Sequence, residues 1–164
     1  MELETWQAPS GERIPNHPSF PVLLYRGVEA AAAGAHACRT RFSEHGWVGS
    51  WVDGVLDVHH FHSTSHEVLG VIRGRATLDL GGPQGRAFLV STGDVIVLPA
   101  GTGHRLAESD QGFAVVGAYP EGQEDYDFLT GEDLEEVAAA RERIAALGPP
   151  PEDPVGGEGV ASWR

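Results

Sequence analysis

From residue 57 to residue 119 the chain runs in short apolar stretches: Asp57–Phe61, Glu67–Arg73, Ala76–Leu80, Arg86–Val90, Asp94–Leu98 and Phe113–Tyr119. Turn residues separate them, notably Gly74, Gly81-Gly82-Pro83, Ser91-Thr92-Gly93 and Ser109-Asp110. Evenly spaced short strands with no helical run between them predict a mainly β, antiparallel barrel or sandwich rather than a βαβ protein. Upstream, a short strand is expected at Val22–Tyr25, one or two helical turns at Glu29–His36, and a strand carrying Trp47 and Trp51 over Gly46–Asp53. Residues 1–21, punctuated by Pro9, Gly11, Pro15, Pro18 and Pro21, read as an irregular arm.

Downstream the period changes to that of a helix. Thr130 as N-cap, acidic residues in the first turn and Gly148-Pro149-Pro150-Pro151 as the stop predict a helix over Gly131–Leu147. Leu134, Val137, Ala138, Arg141, Ile144 and Ala145 form its docking stripe. Residues 149–164 read as an extended tail anchored by Val155 and Trp163. The expected organisation is one domain: arm 1–21, β domain 22–129, helix 130–148 and tail 149–164.

Composition narrows the function. A net charge of −13 offers no basic face to nucleic acid or to an anionic membrane. All eleven basic residues are arginine, and without lysine there is no Schiff base, no pyridoxal phosphate attachment and no P-loop. Cys38 is alone, which excludes an internal disulfide or a zinc knuckle. With no signal peptide or long apolar run, the expected location is the cytoplasm.

Four of the eight histidines fall within residues 59–66, followed directly by Glu67. On a strand, His60 and His62 point to the same side while His59 and Phe61 point away. Glu67 shares the parity of Leu69 and Val71, so its carboxylate heads a core-facing row where a cation would compensate it. His104 follows Pro99-Ala100-Gly101-Thr102-Gly103, a turn able to swing the imidazole back toward the first group. His60, His62, Glu67 and His104 are therefore the expected ligands of one metal ion, with coordination positions left open. His66, of opposite parity, is expected to support the ligands by hydrogen bonding and is the alternative ligand. Arg73 and Tyr119 are candidate catalytic groups, the first for an anionic substrate and the second as a donor to a metal-bound oxygen; Trp47 and Trp51 line a pocket or fill the core.

Two blocks then match a family pattern. Gly54-x5-His60-x-His62-x4-Glu67-x6-Gly74 and Gly93-x5-Pro99-x-Gly101-x2-His104 resemble the two cupin motifs, with Glu108 where the second motif ends in Asn. The runs His59–Gly70, Val115–Gln123 and Asp153–Gly156 further resemble the YjlB-type single-domain cupins of unassigned activity. The resemblance implies a small jelly-roll barrel, one divalent transition metal (Fe, Mn, Ni, Zn or Cu) on the four matching residues, and a homodimer formed by strand pairing. The expected function is metal-dependent action on a small organic molecule, with oxygenase-type chemistry first. A non-catalytic metal or small-ligand binding protein is the alternative, and an isomerase or decarboxylase the second. Fold analogy by itself assigns no reaction.

Overall fold

The computed structural model describes residues 1–164. Nine strands form two antiparallel sheets: β1 (Glu2–Trp6), β2 (Val22–Arg26), β3 (Trp47–Asp53), β4 (Glu67–Arg73), β5 (Arg75–Leu80), β6 (Arg86–Ser91), β7 (Val95–Leu98), β8 (His104–Ser109) and β9 (Ala114–Pro120). The large sheet runs β1-β2-β7-β4-β9-β3 and the small one β6-β5-β8. The sheets face each other as a jelly roll. Val22, Leu24, Leu69, Val71, Ile96, Leu98 and Val115 of the large sheet pack on Ala76, Leu78, Leu80, Phe88 and Val90 of the small one.

The large sheet is buried on its other face as well, which explains the unbroken apolar runs of β4, β7 and β9. Leu23, Tyr25, Val68, Val95, Val97, Val116 and Ala118 point outward into a second core. Two helices, α1 (Glu29–Ala32) and α2 (Ala35–Glu44), and the C-terminal tail cover it. Cys38 and Phe42 of α2 sit over Gly70, where an added Cβ would lie 2.6 Å from the Cys38 sulfur. The tail ends in a 3₁₀ turn, Gly159–Trp163, whose Val160 and Trp163 are buried with Val155. Asp153 ties it down: it accepts hydrogen bonds from the Tyr25 hydroxyl (2.5 Å) and from the backbone N–H groups of Val155, Gly157 and Val160.

Several sequence expectations need correction. The arm is not wholly irregular, because Glu2–Trp6 pairs with β2. Its side chains are mostly exposed, so main-chain pairing rather than burial makes it a strand, with only Trp6 engaging Phe88 edge-on. Asp57–Phe61 is not a strand: it contributes only isolated bridges, His60 to His104 and Phe61 to Leu129, where the chain crosses between sheets. The helical segment continues to Glu44, and His104–Ser109 adds a strand that its polar composition concealed. The C-terminal helix α3 spans Leu134–Ala146, capped by the Asp133 carboxylate rather than by Thr130. It docks through Val137, Ala140 and Ile144 on Ile14, Phe61 and Ala100, leaving Leu134 exposed. No helix is long and apolar enough to cross a membrane.

Asp153→Ala removes one acceptor from four buried or half-buried donors. The expected result is a loss of about 3 kcal/mol in urea unfolding, with earlier proteolysis of the tail.

Candidate metal centre

The site lies at one end of the space between the sheets. His60 and His104 stand opposite each other, with reciprocal backbone hydrogen bonds of 3.3 and 2.9 Å and ring centroids 4.0 Å apart. His62 comes two residues later, and its carbonyl accepts the Gly101 N–H at 2.8 Å. The turn that presents His104 depends on glycine: Gly101 has φ +89°, and a Cβ there would meet Ile144 at 2.7 Å. Asn16, buried in the arm, holds this turn. It donates its own N–H to Gly101, accepts from the Gly103 N–H and donates its amide to Pro9 and Gly81 carbonyls.

All three imidazoles are fixed by backbone carbonyls. Nδ1–H donates to Val58 in His60 (2.8 Å), to Asp127 in His62 and to Thr102 in His104 (3.0 Å). The Nε2 lone pairs are thereby freed and aimed at one point. One ring nitrogen from each histidine lies within 4.8 Å of the others, so the three can hold a metal ion.

Glu67 adjoins this triad. Its Oε1 lies 3.1 Å from His104 Nε2 and 3.6 Å from His62 Nε2, is buried, and has no hydrogen-bond donor. Oε2 accepts the Tyr119 hydroxyl at 2.9 Å, and that hydroxyl accepts the Trp51 indole N–H at 2.7 Å. Trp51 lies flat over Gly117, where any Cβ would fall 2.2 Å from its ring. A bulge between Val48 and Trp51 separates the two tryptophans that sequence parity would place together. Trp47 enters the outer core and donates to the Glu152 carbonyl, whereas Trp51 faces the site.

Arg73 and His66 lie elsewhere. Arg73 shares the parity of Glu67 but ends a seven-residue strand roughly 20 Å long. A register shift turns it to the surface, where it donates to the Gly112 carbonyl. His66 is buried facing Trp163, and both of its ring nitrogens are engaged: one accepts the Ala100 N–H, the other donates to the Gly148 carbonyl, each at 2.9 Å. It fastens β4 to the His104 turn and to the end of α3, with no nitrogen left for a metal.

A third group escaped sequence reading. In Asp125-Tyr126-Asp127-Phe128 the alternation puts both aromatics on the imidazoles: Phe128 stacks on His60 (4.9 Å) and Tyr126 meets His62 edge-on (4.7 Å). Asp127 points the other way and accepts the backbone N–H and hydroxyl of both Ser63 and Thr64. Period-two patterning over these four residues was the available signal.

Burial and charge act in opposite directions here. Burial opposes ionisation of Glu67, but His104 and His62 outweigh it and hold the carboxyl well below its usual range. Burial also disfavours the His62 imidazolium, yet the adjacent Glu67 carboxylate raises its pKa above the ordinary value. His60 is pushed down to about 3 by burial and then by His104. A proton therefore occupies the His62–Glu67 contact more readily than the His60 ring.

Two facing antiparallel sheets with a histidine cluster at one end define a cupin. A family model described as a cupin domain matches residues 51–116. The chain is 40% identical over 158 residues to the uncharacterized protein YjlB of Bacillus subtilis (strain 168), covering 96% of this chain and 92% of that one. It belongs to the cupins, as a YjlB-type member. Among solved structures, the plu4264 protein from Photorhabdus luminescens is 14% identical at a TM-score of 0.32, covering 63% of this chain and 62% of its own. Oxalate decarboxylase from Bacillus subtilis is 18% identical at a TM-score of 0.40, covering 84% and 37%. The chain thus spans less than two thirds of the length of either solved protein.

Because a proton and a metal ion compete for His62, whose pKa is raised, metal affinity should fall as pH drops and the imidazole is protonated. Loading at neutral pH should release protons. Calorimetry in buffers of different ionisation enthalpy measures both, and a pH-independent affinity between pH 5 and pH 8 would contradict the assignment.

Proposed function

We propose that this cupin acts on a small organic molecule through one divalent transition metal held by His60, His62, His104 and Glu67, with oxygenase-type chemistry. The observation that carries it is Glu67 Oε1, a buried carboxylate oxygen with no donor, set against imidazole nitrogens whose tautomers are fixed to face it. A cation is what this arrangement lacks. A set of three imidazoles and one carboxylate suits iron, manganese, nickel, copper or zinc. The bound ion would supply Lewis acidity or, if redox-active, a centre for dioxygen.

The chain's own contribution is positional. Tyr119, steadied by Trp51, fixes one carboxylate oxygen and leaves the other for the ion. Its hydroxyl is thereby engaged with Glu67, which reassigns the role expected of it toward a metal-bound oxygen. Tyr126 and Phe128 cover the imidazoles and keep water off the donor set.

A cavity of about 340 Å³ opens onto the cluster. Its one carboxylate besides Glu67 is Asp53, exposed at the rim. A proton-transfer isomerase requires a buried free base, and outside the proposed ligands the lining offers none, which favours oxygenase-type chemistry over isomerisation. The same shortage of free acids and bases supports the second reading, a non-catalytic small-ligand binder. A homodimer belongs to the proposal too, since β1 is an edge strand with a free side.

Protein purified without chelators should carry about one transition metal ion per chain by elemental analysis. His60→Ala and His104→Ala should lower that nearly to zero while the circular dichroism of the folded β domain persists. His66→Ala should keep its metal and lose stability instead. Full metal content in the His60 and His104 variants would overturn the proposal.

A further inference from the structure

We infer that the molecule bound in this cavity is built on an aromatic or similar apolar ring, presents one donor atom to the imidazole cluster, and is not a di- or tricarboxylate. The inference rests on reading the cavity as the substrate site.

Three observations carry it. The first is size: about 340 Å³ equals roughly eleven water volumes at about 30 Å³ each, room for one substituted ring. The second is the division of polarity. The donor atoms gather at the His60, His62, Glu67 and His104 end, while Trp51, Val55, Leu56, Leu69 and Phe128 line the remainder. The Trp51 indole N–H is already taken by Tyr119, so Trp51 offers the cavity only its apolar ring.

The third is charge. No arginine lines the cavity and the chain has no lysine, so a second carboxylate on a ligand would meet Asp53 at the rim and no cation in the wall. An anion buried without a partner is strongly disfavoured. At the entrance Leu56, Phe128 and Val52 are 55%, 47% and 42% exposed, an apolar rim on a chain of net charge −13. Apolar side chains left in water around a concave apolar wall suit a ligand that covers them.

The test compares 2-naphthol with malonate by calorimetry, each on the metal-free and the zinc-loaded protein. Leu56→Asp and Phe128→Ser alter rim residues that are half exposed, so the fold should persist, as circular dichroism would verify. The expected result is that 2-naphthol binds the metal-free protein, that both variants weaken it at least tenfold, and that zinc-loaded protein prefers it to malonate at least tenfold. Tighter malonate binding, no 2-naphthol binding, or binding indifferent to both variants would overturn the inference. Failure of zinc to load would overturn the metal reading alone, because the metal-free comparison still reports on the cavity.

Discussion

A carboxylate buried with one oxygen unpartnered organises this protein. Glu67 begins β4, in the interior between two sheets, and the low dielectric there makes an uncompensated charge costly. The surroundings meet the cost unevenly. Oε2 shares the phenol proton of Tyr119, whereas Oε1 faces the His62 and His104 imidazoles, which have already committed their Nδ1–H groups to backbone carbonyls. Neutral rings so arranged present lone pairs to a lone pair, and only a cation turns that convergence into attraction. A proton shared with His62 can serve in its absence, which explains why the raised imidazole and the depressed carboxyl occur together.

The anchoring carbonyls come from three separate segments: Val58 in the crossing between sheets, Thr102 in the turn before β8, and Asp127 in the segment after β9. Each segment has its own fastening. The Leu56 carbonyl accepts the Leu106 N–H beside Val58, Asn16 pins the Thr102 turn, and Asp127 clasps Ser63 and Thr64. The geometry of the donor set is therefore held by main chain rather than created by a bound ion, which lowers the ordering cost of binding.

The residues that converge at the candidate site were legible because their spacing is unusual: four histidines and a glutamate within nine positions, and one histidine behind a Pro/Gly turn. The central strands were legible for a different reason, since burial on both faces leaves near-continuous apolar runs in β4, β7 and β9. Parity alone misled where it was stretched over distance. Arg73 has the parity of Glu67 yet sits at the opposite end of the strand, and Trp47 and Trp51 part company at a bulge that no alternation rule reveals. Elements held by main-chain pairing or thin stripes were harder to see: β1 buries almost nothing, and α2 docks through little more than Cys38 and Phe42. Asn16 was invisible in principle, because its value lies in four hydrogen bonds, three of them to Gly81, Gly101 and Gly103, which are distant in sequence.

The site thus divides into parts of unequal rigidity. The imidazoles and Glu67 sit on paired or cross-linked backbone, while Val52, Leu56 and Phe128 at the entrance are half exposed. Changes at the entrance alter shape and polarity without disturbing the hydrogen bonds that orient the donors, whereas a change at Tyr119 or Trp51 reaches Glu67 directly. The entrance and the donor set are formed by different residues, joined where Tyr126 and Phe128 each touch both an imidazole and the cavity. Those two aromatics are the positions at which a molecule entering the cavity would reach the imidazoles, since any ring that displaces them also uncovers His60 and His62.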